Sequence, residues 1–183
     1  MQEIEVKFKV RDFSSVRARL GKMGARMIWK GTEESIFFDT KGRDLYKKDI
    51  LFRLRTWDNH GVYMAVKTPS KQQSKKYKIK DEFALEVHDF AAAEKMIKAL
   101  GFVEDFAYHK YREHWQLNGA YIELDRVGRL HFVEIESTKK NITELARTLG
   151  LDWERVERRG YVKILQDISR RRKFDRGKVD DIL

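Results

Sequence analysis

Glu3-Ile4-Glu5-Val6-Lys7 sets three charges two residues apart with apolar residues between them. On a β-strand alternate side chains share a face, so Glu3, Glu5 and Lys7 form one row while Ile4, Val6 and Phe8 point the other way. Two carboxylates beside an ammonium can hold a divalent cation and an anionic substrate together. Taken alone, such a segment reads as an amphipathic strand with one face in water. Repetition changes that reading. Arg53 and Arg55 share a parity within Leu51-Phe52-Arg53-Leu54-Arg55, and Lys67 ends the run that begins at Val62. Lys110 and Arg112 flank Tyr111, Glu123 and Asp125 flank Leu124, and Glu134 and Glu136 flank Ile135. Strands of this kind, some acidic and others basic, describe a curved sheet with a polar interior and an apolar outside covered by helices. The expected fold class is therefore α+β: a closed or nearly closed antiparallel β-barrel with a charged interior. Gathering so many charges out of water is costly unless a multiply charged ligand and metal offset them.

Around these strands the chain reads as two related halves. Asp12 can cap a helix running to about Met23, with Val16 and Leu20 buried and Gly24 as its stop. The theme returns at Asp89, with Ala93, Ile97 and Leu100 expected inward and Gly101 ending the helix. Strands are expected at Met27 to Lys30 and Ser35 to Phe38 in the first half, and at Ala107 to Gln116 and Ala120 to Asp125 in the second. Further helices are expected over Asn141 to Leu149 and Val156 to Arg172. Residues 1–173 then form one domain, and 174–183 a flexible C-terminal tail.

The Glu3-x-Glu5-x-Lys7 pattern resembles the signature of the CYTH family, the triphosphate tunnel metalloenzymes. These include class IV adenylyl cyclases, thiamine triphosphatases and inorganic triphosphatases. The resemblance continues in order through Phe37-Phe38-Asp39-Thr40, Asp49-x-x-x-Arg53-x-Arg55, Lys67, Glu82 to Glu86, Lys110-x-Arg112, Asp125 and Phe132-Val133-Glu134-Ile135-Glu136. It implies a triphosphate tunnel in which Arg53, Arg55, Lys67, Lys110 and Arg112 grip phosphate oxygens. By the same resemblance Glu3, Glu5, Asp125, Glu134 and Glu136 hold one or two divalent ions. Lys7, Glu5 and Asp125 form the implied catalytic set, with Lys7 steadying the leaving group or orienting the nucleophile. Departures are visible too. Gly128-Arg129-Leu130-His131 lacks the usual glycine-hydrophobic-glycine turn, Ala84 stands where a carboxylate is common, and Ser35 replaces a polar residue that is often aspartate. Glu82 and Glu86 are expected as surface ion pairs.

Composition agrees with a soluble enzyme of this kind. The chain has 183 residues, 42% hydrophobic and 37% charged, with no cysteine. Without thiolates any metal is held by oxygen or imidazole, which favours Mg2+ or Mn2+ over zinc. No apolar run is long enough to span a bilayer and no signal-peptide layout is present, so a cytoplasmic protein without a membrane partner is expected. Much of the net charge of +10 sits in Lys71 to Lys80 and Arg170 to Lys173, read as solvated surface. Only Tyr77 interleaves the first run, which argues against a nucleic-acid partner. His131 and His109 fall on the outer, apolar parity, His60 in a surface turn, and His88 and His114 are scattered, so no histidine metal site is expected. Phe37, Phe38, Tyr63 and Trp115 could stack on an adenine or thiamine ring, though core packing is their commoner use.

Three function classes follow. The first is a metal-dependent triphosphatase that hydrolyses a phosphoanhydride of inorganic, nucleoside or thiamine triphosphate. The second is a class IV adenylyl cyclase converting ATP to cyclic AMP and pyrophosphate. The third is a non-enzymatic module binding polyphosphate or RNA ends. The sequence leaves open whether the chain acts alone or as a homodimer.

Overall fold

The computed structural model describes residues 1–58 and 61–172, with side chains through Ile168. In chain order the elements are β1 (Gln2–Val10), α1 (Ser14–Lys22), β2 (Arg26–Asp39), α2 (Asp44–Lys47), β3 (Leu51–Trp57), β4 (Gly61–Pro69) and β5 (Lys78–Val87). They continue with α3 (Phe90–Ala99), β6 (Val103–Leu117), β7 (Ala120–Val127), β8 (Leu130–Glu136), α4 (Lys139–Thr148), a 3-10 turn (Trp153–Arg155) and α5 (Tyr161–Arg172). The eight strands close into an antiparallel barrel in the order β1-β5-β4-β3-β2-β6-β7-β8. The two expected halves are present. β1-α1-β2-β3-β4 repeats as β5-α3-β6-β7-β8, with the two first strands paired and the two second strands paired.

The strands place their apolar parity outward and helices cover it. Val16 and Leu20 of α1 and Ile142, Leu145 and Ala146 of α4 bury Val6, Phe8, Ile122, Leu124 and Ile135. Each such side chain contributes about 1.5–3 kcal/mol on leaving water. Ala93 and Ile97 of α3 pack on Phe38 and Leu54. α5 does something different. Its Tyr161, Ile164 and Leu165 meet Phe37, Tyr108 and Phe132, which stand on the inward parity, and so α5 packs at one end of the barrel interior. Among the described residues no helix is long and apolar enough to cross a membrane.

Several local expectations are corrected. The pieces Met27 to Lys30 and Ser35 to Phe38 are one strand, β2, with a register shift between Met27 and Trp29. Gly31 does not break it: Thr32 N donates to Asp58 Oδ2 at 2.7 Å, and a Cβ on Gly31 would sit 2.7 Å from that oxygen. The last helix begins at Tyr161, not Val156. Only Gln2 to Glu5 of β1 pair with β5, which leaves the backbone beyond them open on that side. Val156 bridges Phe8 there, and Glu157 N donates to Lys7 O at 2.8 Å, so the segment stays extended. Leu100 was expected inward but is 76% exposed, near Met96, Phe83 and Leu85, which are also exposed. Finally, Lys78 and Lys80 belong to β5 rather than to the basic loop. Asp12 binds Ser14 N at 2.8 Å while Phe13 holds the cap position of α1. The 128–129 turn closes a tight hairpin with Gly128 at φ 57°. His131 packs edge-on against Phe13, as its outer parity implies. His60, the side chains of Arg170 to Lys173 and the tail 174–183 lie outside the described residues.

Candidate active site in the barrel lumen

Strand alternation gathers the charged rows inside. The register sets opposite charges face to face: Glu5 by Lys78, Lys7 by Glu134, Glu33 by Lys110, Lys67 by Glu82 and Arg112 by Asp125. Such cross-strand pairs stabilise the sheet, whereas like charges opposite each other strain it. Two like pairs stand out, Glu5 by Glu136 and Glu123 by Glu134. The lumen holds a cavity of about 460 Å³, lined by every residue of the expected site except Asp125. Asp125 is fully buried against its wall.

The basic residues do not share one environment. Lys67 Nζ lies 2.6 Å from Glu3 and 3.4 Å from Glu82. Arg112 chelates Asp125 through Nε and Nη2, each at 2.6 Å, and reaches Glu123 at 2.6 Å and Glu134 at 3.0 Å. Burial opposes its charge, but Asp125, Glu123 and Glu33 outweigh it and raise its pKa. Arg53 and Arg55 are far less satisfied. Arg53 is 3.5 Å from Glu82 and Arg55 is 3.7 Å from Glu33, and both Nε atoms are buried without a hydrogen-bond partner. Burial and the neighbouring Arg53 push the Arg55 pKa down to about 10. A guanidinium under that pressure gains from an arriving anion.

The acidic side shows the converse. Burial and the Glu3 and Glu123 carboxylates push Glu136 up to about 8. Burial and Glu5 raise Glu3 against the pull of Lys67. Glu134 is raised chiefly by burial, in spite of Lys7 at 3.4 Å. Burial likewise lowers the Lys7 pKa, so both partners lean toward neutrality. Lys7 Nζ also donates to Arg159 O at 2.8 Å and sits 4.0 Å above the Tyr161 ring. Oxygens of Glu123, Asp125 and Glu134 all lie within 4.8 Å of one another. A crowded, all-oxygen set of carboxylates suits a hard divalent cation.

Glu123, read in the sequence only as part of a charged row, belongs to the site, and so do Glu33, Lys78, Tyr108 and Tyr161, which the sequence reading did not place there. Strand parity would have found Glu33, two residues before Ser35, had β2 been read as continuous. Glu82 is corrected: it turns inward to Arg53 and Lys67, while Glu86 is exposed as expected. At one mouth Trp57 lies 4.7 Å from Tyr63 and 5.7 Å from Trp29, with Arg55 4.6 Å above the Trp57 ring. Of the rings noted in the sequence, Tyr63 joins this mouth, whereas Phe38 and Trp115 are core.

A closed eight-stranded barrel with acidic and basic walls around a cavity defines a tunnel protein with a charged lumen. The CYTH domain model matches residues 1–161, and the chain belongs to that family. A Methanocaldococcus jannaschii protein named "Putative adenylate cyclase" is 26% identical over 175 residues, covering 90% of this chain and 98% of that protein. The structure of the PH1012 protein from Pyrococcus horikoshii is 30% identical with a TM-score of 0.74, over 88% of this chain and 98% of that one. A Hippeastrum protein called a "putative adenylyl cyclase", with a dominant triphosphatase activity, shares the fold at TM-score 0.66 and 16% identity, over 90% of this chain and 95% of that one.

Proposed function

We propose that this chain is a divalent-metal-dependent enzyme that binds a triphosphate in its lumen and hydrolyses a phosphoanhydride bond. The observation that carries this reading is the pair Arg53 and Arg55, whose Nε donors are buried and unpartnered in a cavity facing a carboxylate cluster. A triphosphate carries about four negative charges and needs both cations and metal to leave water. Arg53 and Arg55 offer forked donors to its oxygens, and Lys67, Lys110 and Arg112 add charge. Glu3, Glu5, Asp125, Glu134 and Glu136, joined by Glu123, would hold Mg2+ or Mn2+. A bound ion of this kind supplies charge neutralisation to the phosphate chain and acidifies water. Lys7 is held by Arg159 O and the Tyr161 ring, and in this reading it would steady charge on the leaving phosphate or orient the attacking group.

A second reading, cyclisation of ATP, is favoured by the Trp57–Tyr63 mouth beside Arg55, which offers a base a stacking surface. The name of the Methanocaldococcus jannaschii relative leans the same way, whereas the Hippeastrum activity leans to hydrolysis. The protein is expected to work as a soluble, cytoplasmic enzyme over residues 1–173, on a small-molecule triphosphate rather than on nucleic acid.

Purified protein assayed with inorganic triphosphate, ATP and thiamine triphosphate under Mg2+ or Mn2+ separates the readings. Hydrolysis releases phosphate; cyclisation releases pyrophosphate and cyclic AMP. Activity is expected to vanish in excess chelator and return with either ion, zinc serving poorly. Full turnover in chelator would sink the metal assignment. Arg53→Ala should raise KM as well as lower kcat, because its charge meets substrate in the ground state. Glu5→Gln should cost about two orders of magnitude in kcat with the fold kept.

A further inference from the structure

Glu33 is fully buried among three of the phosphate-facing cations. Its Oε1 lies 3.4 Å from Lys110 Nζ, and its Oε2 lies 3.7 Å from Arg55 and 3.5 Å from Arg112. Oε2 also accepts the Trp57 indole N–H at 2.9 Å, and Oε1 accepts Ser35 Oγ at 3.3 Å. Backbone register produces this. Glu33 stands opposite Trp57 on β3 and opposite Lys110 on β6, the two strands that flank β2.

Other carboxylates also touch these cations, but they belong to the candidate metal group. Lys110 meets Asp125 at 3.0 Å, and Arg112 meets Asp125, Glu123 and Glu134. A divalent ion held by those three competes with Arg112 and Lys110 for the same oxygens. Glu33 stands apart from that exchange, and among the described residues it is the one carboxylate paired with Arg55. Burial raises its pKa, but Lys110, Arg112 and Arg55 overcome that and hold the carboxyl well below its usual range, so it stays charged. Trp57 completes the arrangement. Its N–H fixes Glu33 while its ring lies 4.6 Å under the Arg55 guanidinium.

We propose that Glu33 is a positioning residue of the triphosphate site: it holds Arg55, Lys110 and Arg112 at the spacing the phosphate chain requires and limits their ground-state grip on it. This rests on the triphosphate reading above. Cations freed of their counter-charge bind the tetra-anion harder but no longer in the geometry of reaction, and tighter ground-state binding adds nothing to turnover.

The test measures kcat, KM and the triphosphate-induced rise in Tm for wild type, Glu33→Gln and Glu33→Asp, using inorganic triphosphate with Mg2+. Glu33→Gln keeps the volume and an acceptor for Trp57 but removes the charge. It should lose about tenfold or more in kcat with KM unchanged or lower, and its Tm should rise more than that of wild type on adding triphosphate. Glu33→Asp keeps the charge but not the reach, so the wild-type Tm increment should return while kcat stays depressed. Should Glu33→Gln not fold, Trp57→Phe removes the bond that aims the carboxylate; about a threefold or larger loss of kcat at constant KM is expected. Inorganic triphosphate has no ring, so lost stacking cannot mimic that result. Wild-type kcat, KM and Tm increment in the folded variants would overturn the role of Glu33 alone. No triphosphate-induced shift in wild type would overturn the triphosphate reading, and this inference with it.

Discussion

At the scale of single residues, the lumen stores charge in two opposed forms, and pH acts on them oppositely. Glu136 rises from 4.5 to about 8 because it is buried beside Glu3 and Glu123. Between those values the folded protein binds more protons than the unfolded chain, so stability falls as pH rises through that window. Glu3 and Glu134 are raised and act in the same sense. Glu5, Glu33 and Glu123 are lowered by their cations, so their contribution is present above about pH 4.5 and is lost below it. Metal-free protein is therefore expected to lose stability from pH 5 to pH 8, and Glu136→Gln should flatten the slope and gain most at pH 8. Urea unfolding of the metal-free protein across this range checks it; an unchanged slope in Glu136→Gln would assign the pH effect to other groups. The charged parities of β1, β3 and β8 were legible because each row alternates with apolar residues. Glu33 was not, because Glu34 beside it blurs the alternation and Gly31 interrupts the run.

At the scale of elements, the sequence marks helices and strands well where periodicity runs unbroken, and poorly where a tertiary partner overrides it. Val156 to Gly160 has helix-compatible residues, yet the open edge of β1 takes its backbone first. A helix end reads no differently in sequence whether the last apolar residue faces the sheet or points away from it. α3 shows this, with Ile97 buried 2% exposed and Leu100 left outside. The distinction has energetic consequences. Ile97→Ala opens a cavity against Phe38 and Leu54 and should cost about 2–5 kcal/mol. Leu100→Lys should change stability by no more than about 0.5 kcal/mol. Comparable losses in both, by chemical denaturation, would mean that Leu100 is covered in solution.

At the scale of the whole molecule, duplication of a strand-helix-strand unit explains the tunnel. Pairing β1 with β5 and β2 with β6 brings the two halves together around one lumen, so charges far apart in sequence become neighbours. The outsides differ, however. α1 shares its sheet face with the long helix α4, whereas beside α3 stands the four-residue α2, whose Leu45 lines the same groove, and Phe83 and Leu85 stay exposed. Under the triphosphate reading, ligand and metal would relieve local like-charge crowding in the lumen, where Arg55 stands beside Arg53 and Glu136 beside Glu3 and Glu123. A ligand that binds only the folded state stabilises it by about 2.7 kcal/mol at 100 times its Kd. For a domain of this size that is a rise of about 5–10 °C in Tm. Inorganic triphosphate with Mg2+ should deliver it, and monophosphate should give much less, since it spans fewer of the cations. Duplex RNA is too wide for a closed lumen and can meet only the outer basic surface, so it should not compete with triphosphate at moderate salt. Removing the charges of Arg170 to Lys173 should leave the triphosphate shift intact. A shift that follows those residues, or that duplex RNA abolishes, would move the binding function from the lumen to the protein surface.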